Sequence, residues 1–522
     1  MGKPVPLPRE RLFSVSEIVE ATGGRLVSGG AEASGATGGS PYVTGVTLDS
    51  RRVAPGDLFV AIVGERVDGH SFVLPSLAAG AAAALISRWP LPGGEGGTRL
   101  GMDGAPDGMD APDAPGVLGA LGVKSVILVR DTVSALGALA AYHRKKFGFR
   151  AIGITGSVGK TTTKDLTAAV LSRRFTTLAS EGNLNSDLGL PLIVFRARPD
   201  HQVAVFEMAM RGPGQIRDLC DIVHPVVGAI TNVGPTHIEL LGSVEAIADT
   251  KAELLESLPA DGVAVLNADD PWTPRLARHA GGRRVIYYGT GAGGGVGDAP
   301  AASAVVPEVR GVDAVSHGEQ GFSLTVVTPA GEARCTVPIP GLHNVANALA
   351  AAAVGLAFGL GIEEIARSLE GPALTGQRVQ VHRTGRYTVI DDTYNASPAS
   401  TLAALAVLDE VGKGGRRIFV FANMLELGAH AAEGHAEVGR DVARRQPDWF
   451  LTVGDLAAGA AQTAIGAGFP AARVVQNRGN SEAIGVLRDL LRDGDTILVK
   501  GSRGMTLEKV VAALTGKEGP SH

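Results

Sequence analysis

The sequence predicts an α/β fold built on parallel sheets, and three observations carry that expectation. Short apolar, β-branched runs alternate with helical patterns, as in Ala151–Thr155 followed by Thr161–Ser172, and Arg417–Phe421 followed by His435–Arg445; this is how βαβ units read. One junction, Ile152 to Thr162, runs from an apolar strand through a glycine-rich turn into a helix. The length of 522 residues allows about three domains. With 45% hydrophobic and only 4% aromatic residues, the cores must be built from Ala, Val, Leu and Ile. No fixed-period repeat is visible, which sets aside solenoids and propellers.

Composition also excludes some functions. Lys and Arg total 48 against 53 Asp and Glu, a net charge of −5, so no overall basic excess exists to collect nucleic acid or an anionic membrane surface. Any polyanion must be bound locally. Cys220 and Cys335 stand far apart without Cys-x-x-Cys spacing, which argues against a disulfide scaffold or a zinc or iron–sulfur site. The first residues carry prolines and charges but no apolar signal-peptide core. The longest apolar run, Ala348 to Ile362, is too short to span a bilayer and reads as an Ala-rich buried helix. A cytoplasmic protein with no membrane insertion is expected.

Along the chain, Pro90 to Gly122 has the Gly, Asp, Pro and Ala composition of a flexible insertion. After the junction at 152–162 come two further apolar strands. Val203–Phe206 delivers Glu207 to a strand's C-terminal end, and Val226–Thr231 leads through a Gly-Pro turn to His237. Gly289 to Pro307 reads as a second loop or hairpin insertion. A helix is expected at Ile362–Leu369, and Gly371 to Gly376 reads as a linker, because Pro372 disfavours continuing that helix. The resulting division is 1–145, 146–371 and 372–522.

The junction has the chemistry of a phosphate site. Gly156, Ser157, Val158 and Gly159 form a turn whose N–H groups, with those of the following helix, face phosphate oxygens. Lys160 adds a point charge, and Thr161, followed by Thr162, would place its hydroxyl on Mg²⁺. Ile154 occupies the first glycine position of the strict phosphate-loop pattern, leaving Gly-x-x-Gly-Lys-Thr. ATP or GTP is the ligand so predicted.

The loop Thr155–Lys164 closely resembles that of the Mur ligases and folylpolyglutamate synthetases, which form amide bonds at the expense of ATP. Further segments resemble the Mur ligases outside the two insertions. They are Asp49-Ser50-Arg51, Pro55–Ala61 and Gly64–His70 in the first domain; Gly182–Pro191, Glu207–Ile216 and Thr231–His237 in the second; and Asp391–Pro398 and Val499–Met505 in the third. The last two resemble the branch that adds D-alanyl-D-alanine. Phe421–Gly428 looks like a family segment in which Gly and Asp stand where this chain has Ala422 and Asn423; Asn keeps the size and loses the charge, and Asn423 is left out of the candidate site.

The resemblance implies a three-domain architecture, with a UDP-precursor-binding first domain, a central phosphate-loop ATPase-like domain with a parallel sheet, and a Rossmann-like C-terminal domain. It implies an ATP-dependent ligase of peptidoglycan precursor synthesis, and so of cell-wall biogenesis, shape and division. That ligase joins D-alanyl-D-alanine to UDP-N-acetylmuramoyl-tripeptide through an acyl phosphate. ATP and Mg²⁺ are the implied cofactors, a carbamylated lysine a further one, and a monomer is expected.

By residue, the resemblance assigns Lys160, Glu207, His237 and Lys251 to catalysis, and Thr161, Glu207, His237 and carbamylated Lys251 to the metal. Asn344 and Asn347, Arg378 and Asp392 go to adenine, phosphate and ribose. Ser50, Arg51, Asp68, His70, Asn183, Asn185, Tyr394, Asn395, Lys500, Ser502 and Arg503 go to the UDP-peptide and dipeptide. From the residues alone, plainer alternatives stay open: a surface strand-end Glu207, a packing His237, a solvated helix Lys251, an N-capping Asn344. So do the ligase adding the preceding amino acid, a folylpolyglutamate synthetase, and a phosphate-loop switch or motor. The linker composition further predicts a hinge, with Lys500 and Arg503 too far from Lys160 to share a substrate until ligands close the site.

Overall fold

Strands form where the apolar, β-branched runs lie, and helices follow them with recognisable caps. Ser14 and Glu17 make a reciprocal capping box at the start of helix Val15–Thr22, which stops at Gly23 in the left-handed region. Ser243 accepts from the Ala246 N–H to open helix Val244–Glu256, and Ser397 caps helix Pro398–Val411, whose first residue is proline. The computed structural model describes residues 10–27, 42–64, 66–88, 125–236, 238–291, 305–371 and 379–516. The expected insertion at 90–122 lies outside the described residues, as do most of the linker and of the second insertion.

The chain divides into two compact units. The first comprises residues 1–149 with the segments 183–201 and 218–223. Its five-stranded sheet runs Arg25–Val27, Val126–Leu128, Ala83–Ile86, Asp57–Val60, Gly45–Thr47, parallel except for the first pairing. Phe59, Ala84, Ile86, Val126 and Leu128 form its core. A second apolar group gathers on Phe13, whose ring meets His143 and Phe195 edge-on at 5.2 and 5.6 Å.

The second unit holds the remaining chain and two sheets. The nine-stranded sheet has the order Gly331–Val337, Phe322–Thr328, Val309–Ser316, Arg284–Gly289, Val263–Asn267, Pro225–Ile230, Arg150–Thr155, Val203–Glu207, Thr177–Ala179. Only the two pairings at its Gly331 edge are antiparallel. The six-stranded sheet runs Gln380–Arg383, Thr388–Asp392, Thr496–Lys500, Arg417–Ala422, Trp449–Val453, Val474–Asn477, with one antiparallel pairing at its first edge. Both are doubly wound sheets, in which ligands collect at the carboxyl ends of the strands.

The Ala-rich helix is buried as expected, with Ala348 to Val354 fully inaccessible. It spans Asn344–Ala357 rather than reaching Ile362, because Gly359 takes φ +75° and ends the turn before helix Ile362–Leu369 begins. No described helix is long and apolar enough to cross a membrane.

Candidate active site

Strand Arg150–Thr155 ends on Thr155, and helix Lys160–Ser172 starts four residues after Gly156 with no side-chain cap. Its first N–H groups therefore remain available to an anion. The intervening loop is shaped by the segment that follows the neighbouring strand Pro225–Ile230. Asn232 Oδ1 accepts from the Val158 N–H (2.9 Å), while Thr231 Oγ1 (2.6 Å) and Asn232 Nδ2 (2.9 Å) both donate to the Val158 carbonyl. Gly234 N–H donates to Ser157 Oγ (2.8 Å). Lys160 folds back so that Nζ donates to the Gly156 carbonyl (2.7 Å), which aims its charge at the space the loop encloses.

Two glycines in this loop leave no room for a side chain. A Cβ at Gly156 (φ +147°) would lie 1.9 Å from Thr231 Oγ1, and one at Gly159 (φ +88°) 2.3 Å from Asn347 Oδ1. Gly156→Ala is therefore expected to break the Thr231 contact and weaken ATP binding by about tenfold or more, measured by calorimetric titration against the unaltered protein.

Glu207 ends its strand in register with Ile154 and is 2% exposed, so the surface strand-end reading does not hold. Its N–H donates to Ser180 Oγ (3.3 Å). Lys251 is likewise 2% exposed on helix Val244–Glu256, not a solvated lysine. Burial first, and the Lys160 charge second, hold its amine well below the ordinary lysine value. His237 lies outside the described residues. The described residues contain no cluster of three His, Cys, Asp or Glu side chains that would itself hold a metal. Thr161, a hydroxyl in the first turn of helix Lys160–Ser172, and Glu207, a carboxylate ending the strand Val203–Glu207, are oxygen donors of the kind Mg²⁺ takes.

Asn344 and Asn347 are placed at the loop, but their amides serve the protein. Asn347 Oδ1 accepts from Thr163 Oγ1 (3.2 Å), its Nδ2 donates to Asn344 Oδ1 (2.8 Å), and Asn344 Nδ2 donates to the Pro340 carbonyl (2.8 Å). The capping position of their helix is taken by His343, without a side-chain bond, so Asn344 is not the N-cap. His343 itself, absent from the predicted set, faces the same space; burial pushes its imidazole down to about 4, and the ring is neutral at pH 7.

Asp392 and Lys500 sit opposite each other on paired strands and form a buried ion pair (2.5 Å), with Nζ also donating to the Asn395 carbonyl (3.0 Å). A cavity of about 120 Å³ is lined by Gly159, Lys160, Asn344, Asp392, Asn395 and Lys500 among others. The expected separation of Lys500 from Lys160 is thus corrected. The two sheet regions also touch through the Arg383–Glu319 ion pair and the bond from Ser316 Oγ to Glu410 Oε2 (2.7 Å). Lys500→Met would strand the Asp392 carboxylate, and is expected to destabilise the protein by about 3–5 kcal/mol, measured by denaturant unfolding. Arg378 lies outside the described residues.

The remaining predicted residues fall in two places. In the second unit, Arg503 is exposed and lies over the Tyr394 ring at 5.6 Å, a cation–π contact, while Ser502 Oγ accepts from the Leu425 N–H (2.9 Å). Asn423 Oδ1 accepts from the Ala457 N–H (2.9 Å) in the first turn of helix Asp455–Gly466, a bond an amide makes without a charge. In the first unit, Asp49 forks the exposed Arg51 guanidinium at 2.9 and 2.8 Å, beside Ser50. His70 is buried, with Nδ1 on Asp68 (2.8 Å) and Nε2 accepting from the Ser87 N–H (3.0 Å). Both its nitrogens are engaged, so it supports Asp68 from within. Asn183 and Asn185 belong to the segment 183–201 of the same unit.

A phosphate loop with a buried acid and lysine beside it, on a doubly wound sheet followed by a second such sheet, defines an ATP-using α/β enzyme, and this chain belongs to the Mur ligase family. The Mur ligase middle domain matches residues 154–355, the Mur ligase glutamate ligase domain residues 377–503, and the Mur ligase family catalytic domain residues 42–90. The chain is 34% identical to the UDP-N-acetylmuramoyl-tripeptide--D-alanyl-D-alanine ligase of Bacillus subtilis, over 90% of this chain and 93% of that protein. It is 35% identical to the ligase of the same name from Mycobacterium bovis, over 97% and 98%. Its fold is similar to the crystal structure of MurF from Acinetobacter baumannii (TM-score 0.80, 29% identity, covering 98% of this chain and all of that one). It is also similar to MurF ligase from Thermotoga maritima in complex with ADP (TM-score 0.71, 25% identity, covering 90% and 97%).

Proposed function

We propose that this protein joins D-alanyl-D-alanine to UDP-N-acetylmuramoyl-tripeptide at the expense of ATP. The observation that carries the reading is the cavity in which phosphate-loop residues and the Asp392–Lys500 pair face the same space, in a chain that aligns along nearly its whole length with ligases of that name. A carboxylate does not react with an amine until its oxygen becomes a leaving group, so the tripeptide's terminal carboxylate first takes the γ-phosphoryl group of ATP. ADP leaves, and the dipeptide amine attacks the acyl phosphate and expels phosphate.

The phosphates of ATP and the reacting carboxylate are negative, and this chain's groups answer those charges. The loop N–H groups and Lys160 hold the β- and γ-phosphates, and the enclosed loop keeps water from the acyl phosphate. Thr161 and Glu207, with His237 and a carbamylated Lys251, would hold Mg²⁺, which screens phosphate charge when bound. The carbamate forms when a neutral lysine amine attacks CO₂ and loses a proton, and the depressed basicity of buried Lys251 favours that neutral form. Asp392, with Arg378, serves the nucleotide; Tyr394, Asn395, Lys500, Ser502 and Arg503 serve the peptide and dipeptide. Ser50, Arg51, Asp68, His70, Asn183 and Asn185 serve the UDP-linked precursor.

We divide the chain at 145 and 371 into a precursor-binding, a central ATP-binding and a C-terminal ligand-binding domain, with Asn183 and Asn185 of the second and Arg378 and Asp392 of the third reaching ligands held mainly by a neighbouring domain. We place the protein, as a monomer, in the cytoplasm, where ATP and UDP-linked precursors are made. ADP release tests the reading: it should require the UDP-tripeptide and D-alanyl-D-alanine together, and steady turnover of ATP alone would indicate a switch or motor instead.

A further inference from the structure

The phosphate loop does not hold its own shape. As described above, residues 231–234 bond it through Thr231, Asn232 and Gly234. That segment is in turn anchored from behind by a polar turn, Asn267-Ala268-Asp269-Asp270, which follows strand Val263–Asn267. Asp270 is 6% exposed, and each of its carboxylate oxygens accepts one backbone N–H: Oδ2 from Val233 (2.7 Å) and Oδ1 from Trp272 (2.8 Å). Asn267 Nδ2 donates to the Thr231 carbonyl (3.1 Å), and its Oδ1 accepts from the Asp269 N–H (3.0 Å). The buried Tyr288 hydroxyl donates to the same Thr231 carbonyl (3.2 Å).

We propose that Asn267 and Asp270 are positioning residues for ATP, fixing the phosphate loop through Thr231 and Val233 without touching the nucleotide. A buried carboxylate costs free energy unless both oxygens are satisfied, and here the two satisfied oxygens tie the 231–234 segment to the start of the next helix. Burial pushes the Asp270 carboxyl up to about 6, so at neutral pH it is ionised and both oxygens accept. Thr231 is gripped from both sides, by Asn267 and Tyr288 at its carbonyl and by Val158 at its hydroxyl. A slip of a few tenths of an ångström there meets Gly156, where the packing leaves no slack. Asp269, by contrast, turns its carboxylate to Thr290 (2.7 Å to the N–H) and away from the loop.

The proposal rests on the reading of this cavity as the ATP site, and full-length protein tests both. In Asp270→Asn one oxygen becomes an NH₂ facing a backbone N–H, so one of the two anchors is lost. The Kd for ADP and the KM for ATP are each expected to rise about tenfold, while kcat changes less than about threefold and the Kd for the UDP-linked tripeptide holds. That split is one a merely structural role would not give. Asn267→Asp keeps the acceptor for Asp269 but sets a charged oxygen against the Thr231 carbonyl in place of the donor; it should give the same pattern, and it decides the matter if Asp270→Asn does not fold. Asp269→Asn should leave all four constants unchanged. Folded Asp270→Asn and Asn267→Asp proteins that bind ADP as tightly as the unaltered protein would overturn the proposal. Failure of the unaltered protein to bind ADP would overturn the ATP-site reading, and the positioning role with it.

Discussion

Replacing Lys160 with alanine is expected to lower ADP formation by about 10²–10³-fold while leaving affinity for the UDP-linked tripeptide nearly unchanged. The lysine's Nζ is held by the Gly156 carbonyl at the mouth of the loop, so it is organised before substrate arrives, and a preorganised charge of this kind is worth about 10²–10³ in rate. Transfer of a phosphoryl group builds negative charge on oxygens that the loop N–H groups alone cannot balance. The residues offered for the UDP end, Ser50, Arg51 and Asp68, lie in the first unit, outside the phosphate loop's own sheet. Titration of both ligands against Lys160→Ala reads the two effects separately. Joint loss of both affinities would mean that Lys160 supports the fold rather than the phosphates.

The second large effect is expected at Lys251. Lys251→Ala should lower kcat by about 10²-fold or more, and short carboxylates such as formate or acetate should restore part of it. The expected rescue follows from charge. A carbamylated lysine presents an anion, alanine leaves a space where that anion was, and a small carboxylate can occupy it. A protonated lysine in the same buried place, beside Lys160, would instead be driven to lose its proton. Loss of activity without rescue, together with an unmodified lysine after incubation in bicarbonate, would contradict the carbamate.

The parts of this site that the sequence made legible are those encoded within a few residues of one another. The phosphate loop is one: its strand, two glycines, lysine and threonines lie together, and local geometry does the rest. Glu207 at its strand end is another, since strand periodicity alone delivers it to the sheet edge. What stayed hidden depends on residues far apart in the chain. Asn347 looked free to read a base edge, yet its amide oxygen accepts from Thr163, 184 positions away. Lys500 and Asp392 looked like separate ligand contacts, yet strand register pairs them across 108 positions. Helix periodicity places Lys251 on a helix but does not say that this face is buried. Asp270 gave a local signal, a doubled acid directly after an apolar strand, but only the strand order shows that it backs the phosphate loop. The predicted open arrangement rested on linker composition, which reports freedom to move and not the position adopted.

The most direct test of the central claim is the mass of the product. With ATP, UDP-N-acetylmuramoyl-tripeptide and D-alanyl-D-alanine, mass spectrometry should show the precursor heavier by one dipeptide less one water, formed in equal amount with ADP. D-alanine alone should give little or none of the corresponding product. If the protein instead extends a UDP-linked dipeptide by one amino acid, or forms ADP without a heavier precursor, the assignment is contradicted.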